Sequence, residues 1–251
     1  MPETEPSAVE VYAATRLALV QRCRSLSPTE ANTIVPLTPA WRIADVVAHV
    51  CGINADFVAG RLEGLGSDAW TARQVEKRRG SSLSAICDEW MRLAPELDAL
   101  LEDDPGLAPR LLGDLIVHVH DIEHALGIEP DRVSAATAIG APLRPAVAGT
   151  RRRPRGSGAG DRPGCCGTFE PGSASAVRLR TSAYDFLRAV TGRRSRAQVA
   201  AFDWQRDPDL VDRIIDGIDV VRPVAARRRV ELTFSRRPGR QSWRGERTPR
   251  S

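Results

Sequence analysis

Apolar positions recur at helical spacing through the first half of the chain. From 6 to about 26, Val9, Tyr12, Leu17, Leu19 and Val20 supply most of one apolar face, and Ser25 to Pro28 end the run. The pattern resumes after Leu37-Thr38-Pro39-Ala40-Trp41, where Thr38 suits an N-cap and Pro39 the first helical position. Ile43, Val46, Val47 and Val50 then form a stripe, and this helix is predicted to run to about Leu62. A short, charged and exposed helix is expected over 71–79. Ser82 or Ser84 caps a helix predicted over 84–102, with Ile86, Trp90, Leu93, Leu97, Leu100 and Leu101 inward. Asp103-Asp104-Pro105-Gly106 reads as a turn, and a last helix is expected from about 107 to 126, ended by Gly127. Four substantial helices on short connections, with one small extra helix, predict an antiparallel four-helix bundle over 1–135.

The pattern then changes. Residues 136–176 are read as a low-complexity linker, because 139–176 is dense in Gly, Pro, Ser and Arg and offers no apolar face. Residues 177–234 are read as a small α+β domain. Its expected elements are a strand at 177–180, a helix through Tyr184, Phe186, Leu187 and Val190 ended by Gly192, and a helix capped by Ser195. A further helix is expected from Asp207-Pro208 to near Gly217, then a strand over 229–234. Residues 235–251 are read as a disordered basic tail. The fold class expected is mainly α.

Charge sharpens this division. Residues 1–130 carry 20 Asp/Glu against 11 Lys/Arg, whereas residues 131–251 carry 12 against 25. Lys77 is the only lysine, a bias typical of GC-rich coding, so the arginine count alone is a weak argument for nucleic-acid binding. Five cysteines with no C-x-x-C spacing argue against a disulfide framework or a Cys-rich zinc site. The acidic N-terminus lacks an apolar signal region, and no run of about 18 apolar residues exists to span a membrane. A cytoplasmic location is expected.

Chemistry concentrates in Gly113–Gly127, which holds three of the four histidines: His118, His120 and His124. Asp114 and His118 are four apart and so neighbours on a helix. With His49 from another helix they make two imidazoles and a carboxylate, a donor set suited to a divalent ion such as zinc. Asp121, three residues after His118, is placed to orient its imidazole. His120 and His124 form a second pair on another face, about 200° round the helix. The plainer alternative is a set of hydrogen-bonded or helix-terminal histidines with no ion.

Two stretches carry a family resemblance. Thr38-Pro39-Ala40-Trp41-Arg42-Ile43-Ala44-Asp45-Val46-Val47-Ala48-His49-Val50 resembles the second-helix signature of the DinB-like metal-binding bundles. Asp114-Leu115-Ile116-Val117-His118-Val119-His120-Asp121-Ile122 resembles the matching helix of the mycothiol-dependent maleylpyruvate isomerase family. Gly192-Arg193-Arg194-Ser195-Arg196-Ala197-Gln198-Val199 resembles a segment of that family's C-terminal domain. The resemblance covers about 1–135 well and about 177–215 in part. It implies a bundle holding a divalent metal, typically zinc, through His, Glu and His. By position these become His49, Asp114 and His118, with Asp114 one methylene shorter than the family's Glu.

It further implies mycothiol as thiol cosubstrate. The metal lowers the thiol's pKa, the thiolate adds to an activated alkene, and rotation and elimination give the trans product. Arg193 or Arg194 would hold a substrate carboxylate. The partners implied are a thiol and a small electrophile, for isomerisation or thiol transfer. Residues 139–176 and 222–251 depart from the family pattern. A shifted reading frame there is one hypothesis, which would leave the C-terminal domain incomplete; an unshifted frame on resequencing the locus would sink it. The alternative function is a non-catalytic metal-binding or regulatory protein whose Arg-rich second half touches a polyanion. Against nucleic acid, no aromatic residues interleave the arginines and no DNA-binding motif accompanies them.

Overall fold

The structure is a computed structural model and describes residues 6–104, 106–132, 150–152, 167–171, 178–205, 212 and 215. The described part is mainly helical. Helix α1 (Ala8–Ser25) is followed by a single turn, α2 (Pro28–Ala31), then α3 (Ile43–Val58), α4 (Asp68–Lys77), α5 (Leu83–Asp103) and α6 (Ala108–Ala125). Helix α1 packs on α5 and α6, while α3 packs on α5, α6 and α4. This makes a four-helix bundle of α1, α3, α5 and α6, with α4 laid on its side.

Local chemistry explains the helix ends. Ser7 and Ser27 form capping boxes with Glu10 and Glu30, and Ser82 accepts from the Ala85 N–H. At the end of α6 the chain turns at Gly127, and the Ile128 N–H reaches back to the Glu123 carbonyl at 2.8 Å. The predicted cap at Thr38 is not where α3 begins. Val35 N–H bonds Trp41 O at 2.9 Å and Ile43 N–H bonds Thr33 O at 3.0 Å, so 33–43 closes on itself as a turn. The helix starts at Ile43, where Asp45 accepts from the Arg42 N–H at 2.9 Å. It stops at Val58 rather than near Leu62.

One buried side chain ties three helices together. Asn54 on α3 accepts from Tyr12 Oη on α1 at 2.7 Å and from Trp90 Nε1 on α5 at 3.0 Å. Its own amide donates to Val50 O at 2.8 Å, so this buried side chain has its polar atoms paired. The packing of α4 corrects the expectation of an exposed helix over 71–79. Trp70, Gln74 and Val75 are buried, and Arg78 after the helix is 4% exposed. Gly52 permits this: a Cβ on it would lie 2.7 Å from Gln74 Cγ and closer still to Gln74 Cβ. The close approach is what lets α4 sit on α3.

Among the described residues four strands follow: β1 (Thr150–Arg152), β2 (Gly167–Pro171), β3 (Arg178–Thr181) and β4 (Asp203–Gln205). They form an antiparallel sheet in the order β1-β2-β3-β4, with Phe169 opposite Leu179 and Leu179 opposite Trp204. Helices α7 (Ala183–Val190) and α8 (Arg196–Ala200) lie between β3 and β4, capped by Ser182 and Ser195. Strands β1 and β2 fall inside 136–176, where composition alone signals a linker; neither alternates apolar with polar residues. Of the elements expected after 206, only Asp212 and Ile215 lie within the described residues. No described helix is long and apolar enough to cross a membrane.

Candidate metal centre

His49 comes from the middle of α3, and Asp114 and His118 from successive turns of α6. One donor atom from each lies within 4.8 Å of the others. His118 Nε2 is 3.7 Å from Asp114 Oδ1. Two donors about 2.1 Å from one ion, at a tetrahedral angle, sit roughly 3.4 Å apart, so this spacing suits a shared ion. The His49 and His118 rings meet edge to face with centroids 5.1 Å apart, and Trp41 covers His49 at 5.1 Å. Both imidazoles are buried, at 6% and 5% exposed, whereas the Asp114 side chain is 40% exposed.

Tautomer is set from behind. Gln74 Nε2 donates to Asp56 Oδ2 at 2.9 Å, which turns Gln74 Oε1 toward His49 Nδ1 at 2.7 Å. An amide oxygen only accepts, so His49 Nδ1 carries the proton and Nε2 keeps its lone pair. A carboxylate–amide–imidazole relay of this kind raises a ligand's basicity and fixes its ring. Burial, and then the charge of His118, lower the His49 pKa to about 4. The neutral, ligating form is therefore the one present at neutral pH.

Asp121 stands where its spacing suggests. Its Oδ2 is 3.6 Å from His118 Nδ1, a buried nitrogen with no hydrogen-bond partner of its own. The Asp121 side chain is fully buried and paired with Arg188 at 2.6 Å and Arg193 at 3.0 Å. Burial pushes its carboxyl up, but the adjoining His118 imidazole and then the Arg193 and Arg188 charges outweigh it. The carboxyl is held well below its usual range.

Arg193 and Arg194, expected to hold a substrate carboxylate, each hold one of the protein's own. Arg193 bonds Asp121, and Arg194 bonds Asp185 at 2.7 Å while lying over the Tyr184 ring. His120 is buried against Tyr184 with Nε2 3.1 Å from Asp131 O, and His124 is exposed, so these two do not join the cluster.

Sequence reading missed Gln74, Asp56 and Arg188. Trp70, Gln74 and Arg78 recur every four residues, a stripe of one helix face that marks Gln74 as inward-facing. Arg188 follows Leu187 on the apolar side of its helix, where a buried charge calls for a partner.

Residues 12–113 match the mycothiol maleylpyruvate isomerase N-terminal domain, a span that includes His49 and stops one residue before Asp114. No curated protein and no solved structure matches the chain. The part of the chain that is similar to that domain, residues 12–113, carries α3 and His49, while Asp114 and His118 lie just beyond it.

Proposed function

We propose that the protein binds a divalent ion, zinc by the chemistry of its donors, through His49, Asp114 and His118. It uses that ion for thiol-dependent chemistry on a small electrophile in the cytoplasm. The observation that carries this reading is the convergence of two imidazoles and one carboxylate, with Gln74 fixing His49 as the Nδ1–H tautomer. Such an ion would lower the pKa of a bound thiol, so that thiolate is present at neutral pH. Mycothiol is the thiol that the family match supports.

The chain's own residues supply the surroundings. Buried His49 and His118 bind as neutral imidazoles. Asp114 provides the negative charge, and Trp41 walls the site over His49. Arg193, close enough for its charge to act on His49, adds positive charge beside the site while its own nitrogens hold Asp121 and the Thr191 carbonyl. The reaction is isomerisation of a maleylpyruvate-like acid or transfer of the thiol to another electrophile.

Metal content of the purified protein, measured by elemental mass spectrometry beside His49→Ala and His118→Ala, tests the reading. About one ion per chain in the wild type, lost in both variants, is the expected result. A wild type that holds no ion after reconstitution overturns it.

A further inference from the structure

We infer that Arg188 and Arg193 are positioning residues of the metal centre. They clamp Asp121 against His118 Nδ1, so the segment after β3 completes a site that α3 and α6 begin. This rests on the metal-binding reading above.

The geometry runs outward from His118. Its Nε2 faces Asp114, and its Nδ1 is buried with Asp121 Oδ2 at 3.6 Å and no hydrogen bond. For Nε2 to present a lone pair, Nδ1 must carry the proton, and Asp121 is the carboxylate that favours it there. Asp121 can do so only while its own position and charge are fixed. Arg188 Nη1 donates to Asp121 Oδ1 at 2.6 Å and to Val117 O at 3.3 Å, from a side chain 2% exposed. Arg193 supplies Nη2 at 3.0 Å and Nε at 3.3 Å to the other oxygen, Oδ2. Oδ2 therefore lies between Arg193 and His118.

The chain folds locally to deliver both guanidiniums. Leu187, fully buried in the bundle core, seats α7 so that Arg188 points at α6. Gly192 then takes φ +73°, which a side chain would resist. The turn brings the Arg193 N–H back to the Arg188 carbonyl at 2.7 Å and leaves the Arg193 side chain beside Asp121. Two guanidiniums with fixed forks hold a carboxylate in one orientation, which a flexible ammonium does not.

A merely structural role, in which Arg188 only fastens α7 to α6, predicts something different. The two are separated in the full chain with Arg188→Met, Arg188→Lys, Arg193→Met and the exposed control Arg180→Met on β3. Zinc affinity is read by competition with a chromophoric chelator. The His118 tautomer in metal-free protein is read from ring ¹⁵N shifts, which four histidines keep resolvable. Arg188→Met and Arg193→Met are expected to bind zinc about 10- to 100-fold more weakly and to move His118 away from the Nδ1–H form. Arg188→Lys falls between, and Arg180→Met matches wild type. A folded Arg188→Met with wild-type affinity and wild-type His118 shifts overturns the inference. If Arg188→Met does not fold, Arg193→Met decides by the same two readouts. A wild type that binds no zinc defeats the metal reading alone, because the metal-free ring shifts still test the clamp.

Discussion

Gln74 Oε1 accepts a hydrogen bond from His49 Nδ1 at 2.7 Å, and Asp56 fixes the amide that does so. The candidate metal centre therefore begins one helix behind its proposed ligands, on α4. Replacing Gln74 by Leu removes the acceptor while keeping an apolar stem of similar length. We expect divalent-metal affinity to fall about 10- to 100-fold with little change in helical content. Gln74→Glu keeps an acceptor for His49 but loses the donor to Asp56 and sets two carboxylates together, so it should weaken affinity as well. Chelator competition with circular dichroism on the same samples checks both.

Gly52 governs whether that contact can exist. A methyl group there would lie 2.7 Å from Gln74 Cγ and 3.0 Å from Arg78 Nη1. Alanine in place of helical glycine gains about 1 kcal/mol of propensity, but overpacking against a seated helix costs about 1–3 kcal/mol. The clash lies at the stem of Gln74, where rotamer change gives little relief, so overpacking wins. Gly52→Ala should lower the melting temperature and weaken metal binding together. Unchanged values of both would show that α4 does not press on α3 as described.

The stability of the metal-free protein should carry the signature of His49. Burial, then the His118 charge, hold its folded pKa at about 4. An unfolded histidine titrates near 6.5. Above about pH 6.5 the imidazole is neutral in both states and its contribution is complete. As pH falls from there toward 4, the unfolded chain takes up a proton that the folded one refuses, and stability is lost, on the order of a few kcal/mol. His49→Gln should flatten this part of a denaturant-derived stability curve. Asp121, also lowered, loses its contribution in the same direction but only at more acid pH, below about 4.

The described cysteines are not candidates for the reacting thiol. Cys51 and Cys87 are fully buried and Cys23 is 2% exposed. A thiol reagent such as dithionitrobenzoate should leave all three unmodified in native protein, as peptide mapping would show, and label them only on unfolding. Labelling of any of them at the native protein's own rate would contradict the packing of α1, α3 and α5.

How far the sequence carries can be judged residue by residue. Asp114, His118 and Asp121 are legible because one helix sets their spacing, and a helix is the element that periodicity reveals best. His49 is tied to them only by tertiary packing, so residue chemistry offers it as the distant third donor and the family resemblance strengthens that reading. Gln74 was hidden because Arg73, Glu76, Lys77 and Arg79 surround it and make α4 look solvated; the buried Trp70–Gln74–Arg78 stripe runs between them. Thr38 and Pro39 carry a good helix-start signal, but the backbone bonds of 33–43 compete for the same groups and win. The clamp on Asp121 spans 67 and 72 residues of chain, and no local pattern encodes a contact of that range.

The uneven exposure of the three candidate ligand residues would have a kinetic consequence for an ion bound among them. Two imidazoles are sealed inside the bundle, their rings held by neighbours on α4 and α6, while the Asp114 carboxylate stands at the solvent edge. An ion would arrive past that carboxylate and shed it first on the way out. The imidazoles would then set which ion is kept, and Asp114 how long it stays.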